Sequence, residues 1–117
     1  MVRKNTNYIP ARGDIVWMNF SPQAGFEQAG RRPALVLTSK EYNRKTSRCI
    51  VCPITSQVKG YTFEYPLPTH CSVQGVVLTD HVKNQDWTER NVEFAATLSS
   101  NEVDPICDIV DALIRTN

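Results

Sequence analysis

A chain of 117 residues is long enough for one domain with its own core and too short for two. Its 41% hydrophobic and 21% charged residues are ordinary for a globular protein, which argues against disorder, and no apolar run approaches the ~18 residues of a membrane-spanning helix. The net charge of +1 provides no broadly basic surface, so any nucleic-acid contact has to be local.

The opening stretch, MVRKNTNYIP, is basic but has neither an apolar block nor a small-residue cleavage site, which predicts a cytoplasmic protein. The first strand is expected in GDIVWMNF (Gly13 to Phe20), with Ile15, Trp17 and Asn19 on one side and Val16, Met18 and Phe20 on the other. SPQAGFEQAGRR follows as a loop longer than hairpin closure needs. PALVLT reads as a second strand, with Pro33 at its first position, where no ladder donor is required.

SKEYNRKT predicts a short helical turn or loop, with Thr38 and Glu41 at capping-box spacing. RCIVCPIT is a third strand, with Pro53 marking an edge or bulge and Thr55, Ser56 and Gln57 at its end. The pair Cys49 and Cys52 has metal-knuckle spacing. On a strand, however, residues three apart point to opposite faces and cannot grip one ion, so no metal and free thiols are expected. YTFEYPL alternates strictly, and GVVLTDHV is a further candidate strand.

Near the C-terminus the period changes. Ile106, Ile109, Val110, Leu113 and Ile114 form a helical stripe, which starts either at Asp104 and Pro105 or earlier, with Ser99 and Glu102 as a capping box. The expected architecture is one mainly β domain over 1–117. It is a small antiparallel barrel with a short internal helix and a C-terminal helix packed on the sheet.

No dinucleotide, Walker, HExxH or EF-hand pattern occurs, and neither His70 nor His81 sits in a recognisable hydrolase signature, so no cofactor is expected. What remains is an acid, arginines and hydroxyls. The local basic candidates are Arg31, Arg32, Arg44, Lys45, Arg48, Lys59 and Lys83, with Trp17, Phe20, Phe26, Tyr61 and Trp87 as possible stacking faces. If the second and third strands are neighbours, Arg32 and Thr55 face a common groove. With Glu27 from the loop they provide what metal-free RNA cleavage requires: a base for the 2′-hydroxyl and donors for a phosphate whose charge grows in the transition state. The guanidinium fork suits the second task, because it matches two phosphate oxygens and keeps its charge.

RGDIVWMNFSP, GFEQAGRRPALVL, Tyr42-Asn43-Arg44-Lys45-Thr46, CPITSQVKGYTFE, GVVLTDHVKNQDW and the closing apolar helix occur in one order and spacing. In these segments, from about Tyr8 to Ile114, the chain resembles the MazF/PemK family of toxin endoribonucleases. The resemblance implies an SH3-like antiparallel barrel, a homodimer, and metal-independent cleavage of single-stranded RNA to 2′,3′-cyclic phosphate and 5′-hydroxyl ends. It also implies a small antitoxin partner with an acidic tail that covers the RNA groove.

Carried over by motif, Arg32 is the catalytic arginine, Thr55 its phosphate-holding partner and Glu27 the base or a substrate contact. Phe20, Gln28, Gln57, Lys59, Asp80 and Lys83 match positions near the RNA groove. PemK-like members carry an arginine where this chain has Leu78, although Asp80 keeps their acid, which moves weight to Arg32 and Glu27. Arg31 is not a position the family requires and is expected to be a phosphate or surface contact. The same fold family includes toxins that poison DNA gyrase by binding, and the EQAG and PITSQ motifs favour the nuclease.

Overall fold

The computed structural model describes residues 7–20 and 30–115. Among these described residues, seven strands and two α-helices follow one another: β1 (Asp14–Phe20), β2 (Gly30–Val36), α1 (Lys40–Thr46), β3 (Arg48–Thr55), β4 (Glu64–Pro66), β5 (Val76–Leu78), β6 (Lys83–Asp86), β7 (Glu93–Thr97) and α2 (Ser100–Arg115). All strand pairings are antiparallel, in the order β4-β5-β3-β2-β1-β7, with β6 added on β3. The expected mainly β fold with a short inner helix and a C-terminal helix is therefore found. Among the described residues the ladder ends at β4 and β7, so the sheet is barrel-like without a hydrogen-bonded closure.

β3 is the hub. One edge pairs with β2, and the other pairs first with β6 at Arg48 to Val51 and then with β5 at Ile54 and Thr55. Pro53, which has no N–H to donate, falls where the partner changes from β6 to β5, as proline in a sheet must.

Strand alternation divides the core in two. Ile15, Leu35, Cys52, Ile54 and Val77 pack under α2 with Val103, Ile106 and Val110. On the other face Val16, Met18, Phe20, Ala34, Val36, Cys49 and Val51 pack with Tyr8, Trp87 and Val92. Cys49 and Cys52 thus lie in different clusters, as strand geometry predicts, and burial pushes both thiols up to about 12.

The helices begin where local capping chemistry is best satisfied. Ser39, not Thr38, caps α1 by accepting the Tyr42 N–H, and Ser47 ends it in the left-handed region. Thr38 instead donates its hydroxyl to Asn43 Oδ1 at 2.6 Å. The fully buried Asn43 donates to the Pro10 and Thr38 carbonyls and accepts Trp87 Nε1 on its own carbonyl, so this residue of the Tyr42 to Thr46 motif is a structural bracket.

α2 takes the earlier of its two possible starts. Ser99 and Glu102 form a reciprocal capping box, and Pro105 lies inside the helix. The longer helix brings Val103 into the buried stripe and leaves Ile114 75% exposed.

Two expected strands are shortened. Tyr61 and Phe63 stay exposed before β4, because the Glu64 carboxylate accepts the Lys59 and Gly60 N–H groups and curls the segment back. The GVVLTDHV run breaks after Leu78 into a single 3₁₀ turn, Thr79–His81, before β6 begins.

Candidate active site

The site is built first from strand register. β2 meets β3 with Ala34 opposite Pro53 and Leu35 opposite Cys52, and extending that register by two residues sets Arg32 across from Thr55 on the same face. The neighbouring Arg31 points to the other face. There its guanidinium donates to Asn19 Oδ1 at 3.1 Å and the Asn91 carbonyl at 2.8 Å, and pairs with Glu93 at 3.1 Å. Arg31 is thus a clamp between β1, β2 and β7.

Arg32 and Thr55 line a cavity of about 320 Å³ together with Gln57, Lys59, Tyr61, Glu64, Leu78, Asp80 and His81. Both also line a neighbouring hollow of about 340 Å³, whose walls include Trp17, Arg31, Pro33, Ile54 and Val73. The arginine and the threonine therefore stand at the junction of two depressions. The buried Thr55 hydroxyl accepts the Gln57 N–H at 3.1 Å, which orients it and leaves its own proton to donate.

The remaining wall comes from the 3₁₀ turn. Thr79, fully buried, donates both its hydroxyl, at 2.6 Å, and its N–H, at 3.2 Å, to the Phe63 carbonyl. Cys52 Sγ lies 3.9 Å from the Thr79 carbonyl beneath the turn. With Thr79 anchored, Asp80 and His81 project into the cavity, His81 Nε2 lying 3.8 Å from Asp80 Oδ1. The cavity charges are then Arg32 and Lys59 against Asp80 and Glu64, and Glu64 already spends its oxygens on backbone N–H groups.

Of the residues singled out in the sequence, Arg32, Thr55, Gln57, Lys59 and Asp80 come together here. Phe20 and Lys83 do not line this cavity. The Phe20 ring is buried in the second cluster with Lys83 Nζ 5.6 Å from its centroid, and Phe20 borders a separate hollow with Asn19, Glu89 and Arg90. Glu27 and Gln28 lie outside the described residues. The wider basic patch resolves into local pairs, because Arg44 and Lys45 face Glu41 along α1 and Arg48 binds Asn84. Sequence reasoning passed over Glu64 and His81 as site residues. The available signal for His81 was its place next to Asp80.

The model of the family described as PemK-like, MazF-like toxin of type II toxin-antitoxin systems matches residues 11–114. The chain belongs to this family. It is 40% identical over 109 residues to the endoribonuclease toxin MazF of Escherichia coli K12, covering 93% of this chain and 97% of that one. It is 41% identical to the endoribonuclease toxin ChpB of the same organism, covering 89% and 88%. Among solved structures, MazF of Deinococcus radiodurans superposes with a TM-score of 0.87 at 45% identity, over 92% of this chain and 98% of that one. A MazE-MazF complex from that organism gives 0.83 at 44% identity, over 95% and 100%.

Proposed function

We propose that this protein is the toxin of a type II toxin-antitoxin pair, a sequence-selective endoribonuclease that cuts single-stranded RNA without a metal ion. The activity follows from relatives named endoribonucleases at about two-fifths identity over nearly the full length of both chains. The observation that carries the site is the position of Arg32 and Thr55 between two adjoining hollows. A polymer lying across such a junction has one phosphodiester held in the middle and a nucleotide on either side.

In that arrangement the 2′-oxygen attacks phosphorus, the bond to the 5′-oxygen breaks, and the products are a 2′,3′-cyclic phosphate and a 5′-hydroxyl. Negative charge on the non-bridging oxygens meets the Arg32 fork, the Thr55 hydroxyl and the Lys59 ammonium. Glu27 is the base for the 2′-hydroxyl or a substrate contact, and Gln57 and Asp80 are substrate contacts around the same phosphate.

The antitoxin partner is a MazE-like protein, in keeping with solved MazE-MazF complexes of similar chains, and its acidic tail would compete with RNA for these cations. The working form is a cytoplasmic homodimer.

The test is incubation of the purified protein with a long transcript in EDTA, followed by end-group analysis. Cleavage with cyclic-phosphate ends is expected, reduced about 10²- to 10³-fold by Arg32→Ala and by Thr55→Val. Wild-type cutting by both variants would sink the site, and an intact transcript would sink the activity.

A further inference from the structure

We propose that the outer face of α1, with Arg48 beside it, is a second contact surface for the RNA strand, engaging unpaired nucleotides outside the cut site; the inference rests on the nuclease reading above. It gives the Tyr42 to Thr46 motif a task besides that of Asn43, which faces inward as a bracket. With Asn43 pointing in, the helical period turns Tyr42, Arg44 and Lys45 outward, and all three are exposed. Tyr42 and Lys45, three residues apart, are neighbours on the helix surface. Asn84 of β6 ties the same ring to Arg48. Arg48 Nε donates to Asn84 Oδ1 at 2.8 Å and its Nη2 to the Asn84 carbonyl at 3.1 Å, while Asn84 Nδ2 donates to the Tyr42 hydroxyl at 3.3 Å. The aromatic ring is thus held in place with a cation on either side.

The charge of this face favours a polyanion. Glu41 lies 4.0 Å from Arg44 and 3.7 Å from Lys45, so one carboxylate is shared by two cations. Lys40, Arg44, Lys45 and Arg48 stand against Glu41 and, on β6, Asp86; four positive charges less two negative leave an excess of two, larger than the +1 of the whole chain. An exposed ring between cations suits a single strand, whose unpaired base stacks on the ring while the phosphates on either side meet the charges. An acidic peptide would answer the cations but has nothing to stack. Position agrees as well. Thr55 and Arg48 are the two ends of the eight-residue β3, about 23 Å apart at the usual rise per residue of a strand. Their side chains leave opposite faces of the strand, so an RNA held between Arg32 and Thr55 passes round the sheet to reach α1, which takes an unpaired, flexible strand and several nucleotides.

The experiment uses a short oligoribonucleotide containing a cut site mapped on the long transcript, and the same oligonucleotide extended by about ten unpaired nucleotides on its 5′ or its 3′ side. Versions with a 2′-deoxy residue at the cut position lack the attacking hydroxyl and report binding alone. Extension on at least one side should tighten wild-type binding about tenfold. The triple variant Lys40→Gln, Arg44→Gln, Lys45→Gln should lose that gain and lower the slope of log affinity against log salt by about 2. Its KM should rise on the extended substrate, with kcat and all cleavage of the short one unchanged. Tyr42→Leu should also lose about tenfold on the extended RNA, and Tyr42→Phe, which keeps the ring, should not. Glu41→Gln, which releases Arg44 and Lys45, should bind the extended RNA more tightly than wild type, a gain that a merely structural role would not produce. No benefit from extension on either side, equal losses on short and extended RNA, or wild-type binding by the triple variant overturns this surface while the nuclease reading stands. A triple variant that binds extended RNA normally but loses affinity for an oligoglutamate peptide would make the face a protein-docking site and overturn the proposal too. If the wild type cuts neither oligonucleotide nor transcript, the nuclease reading fails and this inference with it.

Discussion

Arg32 and His81 reach one cavity by different routes. Arg32 sits on a regular ladder, where the pairing of β2 with β3 fixes which residue faces which. His81 sits on a single 3₁₀ turn interrupting what would otherwise be one strand from Val76 to Asp86, and its place depends on the Thr79 contacts to Phe63. A ladder distributes its constraint over many backbone bonds, whereas a turn concentrates it in one or two. The ladder half should therefore resist most single changes except a backbone collision, and the turn half should lose function before it loses stability.

The harshest way to break the ladder half is at Gly75. Its φ of +127° is a conformation that L side chains rarely adopt, and an added Cβ would stand 2.2 Å from the Thr55 carbonyl oxygen. Backbone on both sides has little room to yield, because Thr55 pairs with Val76 in the β3–β5 ladder. Gly75→Ala should destabilise the fold by about 3 kcal/mol or more and displace Thr55, so activity falls with stability. Urea unfolding measures the first and cleavage rate the second; a variant with unchanged midpoint would show that the β5 edge adapts.

The turn half is probed by Thr79→Val, which keeps the shape and removes the buried hydroxyl that donates to Phe63 at 2.6 Å. A loss of about 1–2 kcal/mol is expected. Because this bond anchors Asp80 and His81, cleavage should fall by more than the lost stability explains when both are measured well below the melting temperature. Proportionate losses would mean that the turn holds its form without the hydroxyl.

The two halves also differed in how far the sequence revealed them. Pro33 before an apolar run, and a threonine ending the next strand, set Arg32 and Thr55 on one groove on the condition that the two strands are neighbours, and the β2–β3 ladder meets that condition. The 3₁₀ turn carried no such signal. GVVLTDHV has ordinary strand composition, and what stops it is a hydroxyl reaching a carbonyl sixteen residues away in sequence. Likewise Tyr61 to Tyr65 alternates cleanly, yet Glu64 prefers to cap the Lys59 and Gly60 N–H groups, a tertiary choice that overrides the pattern. β7, EFAAT, was missed for a related reason: Phe94 is half-exposed, and its pairing to β1 shifts register between Ile15 and Val16.

The adjacent arginines give a smaller contrast within β2 itself. Arg31→Ala removes hydrogen bonds to Asn19 and Asn91 and an exposed ion pair with Glu93, which is worth at most about 1 kcal/mol. Its cleavage rate should stay within a few-fold of wild type, against the 10²-fold or larger loss for Arg32→Ala. Equal losses in the two variants would show that the hollow shared by both side chains, and not the Arg32 face alone, holds the phosphate.

The smallest effect lies farthest from both halves, where His70 meets Glu102 at the start of α2. The hydrogen bond to Glu102 raises the His70 pKa, and the Ser99 backbone N–H followed by His70 lowers that of Glu102. A raised histidine stabilises the fold fully below its unfolded-state value, and the contribution fades as pH climbs through its folded-state value. A lowered carboxylate stabilises above its unfolded-state value and fades as pH falls through its folded-state value. The pair therefore contributes most between the ordinary carboxylate and imidazole ranges. In His70→Gln the melting temperature should fall slightly near pH 5.5 and converge with wild type at alkaline pH. Because both groups are solvent-accessible, added salt should shrink the difference. Cleavage at neutral pH should be unaffected, since neither residue lines the Arg32 cavity. A difference that instead grows toward alkaline pH would mean that the ring supports the capping box as a neutral hydrogen-bond donor rather than as a cation.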